Sequence, residues 1–110
     1  MPYINESDRS ILDKEINALV LALKATALEN QNIFENESLS NEQLLSIVGN
    51  INYCISRLCG SIMGKISYPK IAIITGVLEN TKQEFYRRVA TKYEDAKIVS
   101  NGDIPEYKRV

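Results

Sequence analysis

The chain has 110 residues, 45% of them hydrophobic and 25% charged, which suits one small globular domain and excludes general disorder. A net charge of −1 excludes the strongly basic surface of a typical duplex-DNA binder, and the absence of histidine removes the commonest general base and metal ligand. The charge is uneven, since residues 1–48 carry eight acids and three bases (−5) and residues 49–110 carry ten bases and six acids (+4).

A first helix is predicted over about residues 8–28. Ser7 or Asp8 can serve as its N-cap, because a short polar side chain can accept a hydrogen bond from a backbone N–H of the first turn. Apolar residues then recur three and four positions apart, which places them on one face of a helix. This face consists of Leu12, Ile16, Leu19 and Leu23.

A loop is predicted between the first and second helices, over residues 29–42. The segment is acidic and rich in Asn, a composition typical of irregular connections. Two adjacent apolar residues in it, Ile33 and Phe34, are expected to attach the loop to the body of the domain.

The second helix is predicted over residues 41–64, with Ser40 or Asn41 as its N-cap. Its apolar residues alternate three and four positions apart over nearly three heptads, the pattern of helix-bundle packing. They are Leu44, Val48, Ile51, Ile55, Leu58 and Ile62. Cys54 and Cys59 lie in the same helix at a Cα separation of about 8 Å, which is too far for a disulfide, so two free thiols are expected.

The third helix is predicted over residues 69–93, because Pro69 suits a first helical turn and apolar residues recur after it. The repeating residues are Ile71, Ile74, Leu78, Phe85 and Val89, with Thr81 filling one gap. Residues 94–110 are predicted to form a tail, in which an Asn-Gly-Asp turn precedes an extended Ile-Pro-Glu-Tyr segment.

Three amphipathic helices predict an all-α, bundle-like fold in a single domain of residues 1–110. The second and third helices also carry apolar residues off their main faces. Surplus apolar area on a small bundle most often becomes a protomer interface, so we expect a homo-oligomer.

One candidate ligand-binding pair lies in the second helix. Tyr53 and Arg57 are one turn apart and share a face, and an aromatic ring beside a guanidinium suits a base or a phosphate. Packing in the helix is an equally open interpretation of this pair. Gly49 in the same helix lowers helix stability and therefore indicates close approach, of another helix or of a ligand.

A second group of candidate ligand-binding residues lies on the third helix. It comprises Lys82, Tyr86, Arg87 and Arg88. Glu79 is spaced to pair with Lys82, and Glu84 to pair with one of the two arginines, so surface ion pairs are the alternative interpretation. Arg87 and Arg88 point about 100° apart on one helix and are expected to face different neighbours.

No catalytic constellation emerges from the sequence. A nucleophile needs an adjacent base, no Ser/Lys spacing is distinctive, and the carboxylates do not repeat as a helical metal site would require. A phosphate-binding Gly-rich loop is also missing from the sequence. We therefore expect neither an enzyme nor a bound cofactor or metal.

The chain carries several distinctive motifs, which are MPYI at 1–4, DR at 8–9, NYCISRL at 52–58, GVLENTKQEFYRR at 76–88, YEDAKI at 93–98 and NGD at 101–103. With these motifs it resembles a family of short, mostly uncharacterised helical proteins from bacteria and their phages. The resemblance implies a small helical protein, often encoded by a phage, and no known reaction. Thr91-Lys92 replaces the Ala-Pro that is common in the family, which is expected to let the third helix continue through Tyr93.

The resemblance leads to two hypotheses. The first is an oligomeric, non-enzymatic binding protein, similar to the phage sponges that sequester an anionic nucleotide signal of host defence. The alternative is a protein-interaction module that binds and inhibits or scaffolds a partner protein, in which case the tail should be mobile until bound. The start of the chain lacks the features of a signal peptide and no apolar run is long enough for a membrane span. We therefore expect a cytoplasmic protein, in the host cytoplasm if phage-encoded, with no membrane or duplex nucleic acid as partner.

Overall fold

A computed structural model describes residues 2–27 and 38–108, and every regular element in these two ranges is helical. The elements are α1 (Glu6–Ala27), α2 (Asn41–Ser46), α3 (Val48–Met63), α4 (Tyr68–Phe85), a π turn (Tyr86–Ala90) and α5 (Thr91–Asn101). The all-α prediction is therefore confirmed for the described residues. The contacts predicted for Ile33 and Phe34 lie outside them.

The chain divides into two compact units. The first unit, residues 3–66, contains α1, α2 and α3. The second unit contains Pro2 and residues 67–108, and holds α4, the π turn and α5.

Helix α1 begins earlier than predicted because Asn5, and not Ser7 or Asp8, is its N-cap. The Asn5 side-chain oxygen accepts a hydrogen bond from the Asp8 backbone N–H at 2.9 Å, and the Asn5 carbonyl accepts from the Arg9 N–H at 3.1 Å. The same side-chain oxygen accepts a hydrogen bond from the Ser7 hydroxyl at 2.8 Å. Asn5 thus satisfies donors that the first turn of a helix leaves unpaired.

The predicted helix 41–64 is two helices, α2 and α3, separated at Ile47. Ser40 caps α2 with a reciprocal capping box, in which its hydroxyl accepts from the Gln43 N–H at 3.1 Å and Gln43 Oε1 accepts from the Ser40 N–H at 2.8 Å. The backbone leaves helical geometry at Ile47, with φ −111° and ψ 12°. The Ile47 side chain is only 3% exposed and is the one buried side chain among the described residues.

Glycine conformation ends α3, and a polar cap starts α4. Gly64 has φ +64°, a value that favours glycine, so α3 stops at Met63. Ser67 then caps α4, its hydroxyl accepting from the Lys70 N–H at 3.4 Å. Pro69 lies in the first turn of α4, where a missing N–H leaves no intrahelical hydrogen bond unmade.

The third predicted helix continues well beyond its expected end at Tyr93. The π turn joins α4 directly to α5, which runs to Asn101, in agreement with the expected effect of Thr91-Lys92. Gly102, with φ +87°, then ends the helix at the predicted turn. The predicted extended segment after it is wrong, because residues 104–107 close a turn through a 3.2 Å hydrogen bond from the Tyr107 N–H to the Ile104 carbonyl.

Most of the predicted apolar helix faces remain open. None of the helices contains a buried residue, and large apolar side chains such as Leu58 (63% exposed) and Ile62 (71%) are accessible. Within the described ranges, no helix combines the length and apolar character that crossing a membrane requires. Within each unit, the apolar faces predicted for the helices are therefore largely exposed.

The capping box at Ser40 gives a first testable prediction. Ser40→Ala should lower the free energy of unfolding by about 1 kcal/mol, because it removes the acceptor for the Gln43 N–H. Chemical denaturation followed by circular dichroism measures the change. Ser46→Ala is the matched control, since Ser46 lies in the same helix but only donates to the Gln43 carbonyl. Equal effects of the two substitutions would contradict the importance of the cap.

Candidate functional site

Tyr53 and Arg57 form a direct pair on α3, in the arrangement that their spacing predicts. An Arg57 guanidinium nitrogen donates a hydrogen bond to the Tyr53 hydroxyl at 3.2 Å, and the guanidinium carbon lies 5.9 Å from the centre of the Tyr53 ring. The hydrogen bond raises the pKa of Arg57 above its ordinary value, and the electrostatic effect of Tyr53 acts in the same direction. Arg57 therefore carries its positive charge at every accessible pH, next to an aromatic ring that is 60% exposed.

The pair borders an apolar groove between α1 and α3. The groove has a volume of about 500 Å³, within the range of small-molecule sites. The described residues that line it are Leu19 and Leu23 of α1 and Ile51, Tyr53, Cys54, Ile55, Arg57, Leu58 and Ser61 of α3. Tyr53 also lines two further cavities, of about 350 and 290 Å³.

A hydrogen bond between α1 and α3 lies beside the groove. The Asn50 side-chain amide donates to the Thr26 hydroxyl at 3.0 Å, and both residues line the smallest of the three cavities. Thr26 in turn donates to the Leu23 carbonyl at 2.6 Å. This contact joins the end of α1 to the start of α3. The apolar residues that line the groove lie next to it on both helices.

The other residues around the pair have structural explanations. Asn52 accepts a hydrogen bond from the Ser56 hydroxyl at 3.2 Å, one turn further along α3. The close approach predicted at Gly49 is not found, since a methyl group added there would meet no described atom within 4 Å. Cys54 and Cys59 are both free and half-buried.

Two of the four candidate residues of the second unit, Lys82 and Arg87, are engaged in helical ion pairs. Lys82 lies 3.2 Å from a Glu79 carboxylate oxygen, and Arg87 pairs with the Glu84 carboxylate. Glu79 also accepts a hydrogen bond from the Gln83 amide at 3.1 Å. The Gln83 hydrogen bond is the main reason that the pKa of Glu79 lies below its usual value, and Lys82 lowers it further. The acids thus offset part of the positive charge on this helix.

The π turn contains three of the predicted site residues: Tyr86, Arg87 and Arg88. This turn is wider than an α-helical turn, because the Thr91 N–H donates its hydrogen bond to the Tyr86 carbonyl five residues back and not to the carbonyl four residues back. Tyr86 is 62% exposed, so its ring is accessible at this surface.

Sequence analysis missed two features of these surfaces. The ammonium group of Lys97 lies 5.5 Å from the centre of the Tyr93 ring, a contact that their four-residue spacing could have revealed. The apolar groove could not be recognised from residue spacing, because Leu19, Leu23 and Ile55 are spaced as ordinary core residues are. In the described ranges, no three His, Cys, Asp or Glu side chains are clustered so that they could hold a metal ion.

Comparison with known proteins places the chain in one family. A model of the family described as a domain of unknown function (DUF6899) matches residues 1–104. The chain belongs to this family. No curated protein and no solved structure matches the DUF6899 chain. The predicted membership of an uncharacterised family is therefore confirmed, and the arrangement of Tyr53, Arg57 and the groove is the guide to what the chain does.

The ion pair on α4 gives a prediction of pH dependence. Because the pKa of Glu79 is lowered by folding, its contribution to stability is present above the pKa of the unfolded chain and is lost as the pH falls through the lowered value. Glu79→Gln should therefore slightly lower the melting temperature at pH 7, and the difference from wild type should disappear at a pH below the lowered pKa of Glu79. Thermal unfolding at both pH values measures it. A difference that is the same at both pH values would contradict the assignment.

Proposed function

We propose that the DUF6899 chain is a non-enzymatic, oligomeric binding protein that sequesters an anionic nucleotide signal, as a phage-encoded antagonist of host defence would. The observation that carries the proposal is the apolar groove of the first unit with Tyr53 and Arg57 on its border. Such a groove provides what a nucleotide needs, namely an exposed ring for the base and a fixed cation for the phosphate.

The chemistry of the pair favours a nucleotide over a purely apolar ligand. An aromatic side chain contributes roughly 1–3 kcal/mol per stacked base, and a planar guanidinium can form two parallel hydrogen bonds with a phosphate. Arg57 contacts a neutral phenol, so this contact leaves its charge available to an anion. Lys82 and Arg87, in contrast, already contact carboxylates.

Oligomerisation is the part of the proposal that the exposed apolar side chains support. Soluble monomers rarely expose large continuous apolar surfaces, whereas the described helices expose their main apolar faces. Copies of the chain that cover these faces would complete a helical bundle and would also enclose the open groove. Lys82, Tyr86, Arg87 and Arg88 would then supply further phosphate contacts in the assembled protein.

Capture without reaction fits the composition of the groove. The described residues that line it include no carboxylate, and the sequence has no histidine, so the commonest general bases are missing from the pocket. Binding by stacking and by a cation needs no such base.

Removal of the Arg57 charge should weaken nucleotide binding by roughly 10- to 100-fold, the usual effect of losing a hydrogen bond to a charged group. Calorimetry with a panel of cyclic nucleotides, cyclic dinucleotides and ADP-ribose derivatives, on wild type and Arg57→Ala, measures the change. Lys14→Ala, which removes an equal charge from α1 at a residue that does not line the groove, is the control and should bind as wild type does. If purified wild type carries no nucleotide in native mass spectrometry and binds none of the panel, the proposal fails.

A second variant tests the basic residues of the π turn. Arg87→Ala should also weaken ligand capture and change the melting temperature little, because an ion pair three residues apart on a helix surface is worth only about 0.3–0.5 kcal/mol. Glu84→Gln is the matched control, since it breaks the same ion pair but keeps Arg87, and it should preserve capture. If Arg87→Ala mainly reduces stability, Arg87 is structural and does not belong to the site.

The alternative function is a protein-interaction module that binds and inhibits or scaffolds a partner protein. The exposed apolar side chains of α4 and α5, including Phe85 (67% exposed) and Val99 (87%), favour it. Its expected mobile tail begins later than the sequence suggests, because α5 is helical to Asn101. A ligand-free chain that forms a stoichiometric complex with another protein would favour this function over nucleotide capture.

A further inference from the structure

The apolar repeat of α4 does not continue in α5 by regular helical spacing. Positions three and four apart through α4 are Ile71, Ile74, Leu78, Thr81 and Phe85. When the same alternation of three and four residues is continued beyond Phe85, it leads to Arg88, Lys92 and Asp95, which are all charged. The residue that follows each of these is uncharged: Val89, Tyr93 and Ala96. The apolar pattern therefore resumes with a shift of a single residue.

The π turn supplies that single residue. A π turn holds one more residue than an α turn, as the hydrogen bond from the Thr91 N–H to the Tyr86 carbonyl shows. Each residue of an α-helix is rotated by about 100° about the helix axis relative to the one before it. The extra residue therefore rotates the side chains of α5 by about 100° relative to their positions in a regular continuation of α4. Val89 and Tyr93 are then in line with Phe85, and Lys92 and Asp95 move off this line. We call the resulting row the long seam: Ile71, Ile74, Leu78, Phe85, Val89, Tyr93 and Ala96.

We infer that the long seam packs against the long seam of a second copy of the chain, and that the π turn is what keeps it continuous. The inference rests on the oligomer of the proposed function and names its interface. Four of its side chains show that the seam is open along its length: Ile71 is 46% exposed, Phe85 67%, Val89 52% and Tyr93 60%.

The length of the seam favours a second copy as its partner. From Tyr68 to Asn101 the helix is about 51 Å long, whereas α1 measures about 33 Å and α3 about 24 Å. Neither α1 nor α3 alone is long enough to cover the long seam from end to end, whereas the same helix in another chain is. An apolar stripe about 100° wide on such a helix has an area of roughly 500 Å², so a pair would bury about 1,000 Å². That area is close to the lower limit for a specific protein interface.

Two substitutions in α5 separate the shifted register from a regular one. Tyr93 lies on the long seam only because of the π turn, and Val99 would lie on it only if the helix were regular. Tyr93→Glu should raise the dissociation constant of the oligomer at least about 100-fold, because it places a carboxylate in an apolar interface. Val99→Glu, at a residue that is 87% exposed, should leave it within about twofold of wild type. Phe85→Glu, on the seam before the π turn, should act as Tyr93→Glu does.

The measurement is the oligomeric state by light scattering and native mass spectrometry over a range of concentrations. A wild-type monomer would overturn both the inference and the oligomer of the proposed function. If the oligomer persists in the Phe85→Glu and Tyr93→Glu variants, the inference is overturned but the proposed oligomer is not. The same holds if Val99→Glu dissociates the oligomer. Nucleotide binding is measured separately by calorimetry, so failure of ligand capture is distinguishable from failure of the interface.

A second measurement applies if the charged variants do not fold. In a Cys54→Ser/Cys59→Ser background, spin labels are attached through Tyr93→Cys or Val99→Cys, neither of which introduces a charge. In the oligomer, the label at position 93 should be immobilised and the label at position 99 should remain mobile. Equal mobility at both positions, or the reverse order, would overturn the inference.

Discussion

Burial of apolar surface is the interaction on which the rest of this structure depends. Isolated helices are marginal in water, and most of their stability in proteins comes from covering an apolar face. Among the described residues the chain covers only Ile47 fully, where α2 and α3 meet at a break in the helix. Local caps and ion pairs position the helices, but their combined contribution is small beside the apolar area that stays open. In the proposed oligomer, further copies of the chain would cover these apolar faces and complete a core.

The sequence predicted the helices well and their ends less well, for different physical reasons. Apolar spacing depends on the geometry of a helix, which is constant, so the periodic segments were found. Helix ends depend on which side chain accepts a hydrogen bond from a free backbone N–H. At the start of α1 this residue is Asn5, although Ser7 and Asp8 are equally suitable by residue type. The break at Ile47 was invisible because the apolar alternation continues through it. The extension of α5 to Asn101 was missed because its apolar residues follow a shifted phase.

The same distinction applies to the candidate site. The contact of Tyr53 with Arg57 and the pair of Arg87 with Glu84 follow from positions three or four apart on one helix, and both were predicted. The groove could not be predicted in this way, because it depends on how α1 and α3 are joined near Thr26 and Asn50, two residues that are far apart in the chain. Sequence spacing identified the polar border of the site, and tertiary structure supplied its apolar walls.

The π turn also has a consequence for the evolution of chain length in the family. A helix that stores an extra residue in a wide turn can lose that residue and return to regular spacing, with Val89 and Tyr93 still in phase with Phe85. The same loss between Ile71 and Phe85 would rotate the start of α4 by about 100° away from the rest of the seam. One-residue insertions and deletions among DUF6899 proteins should therefore accumulate in the π turn, at residues 86–90, and be rare in the helix that precedes it.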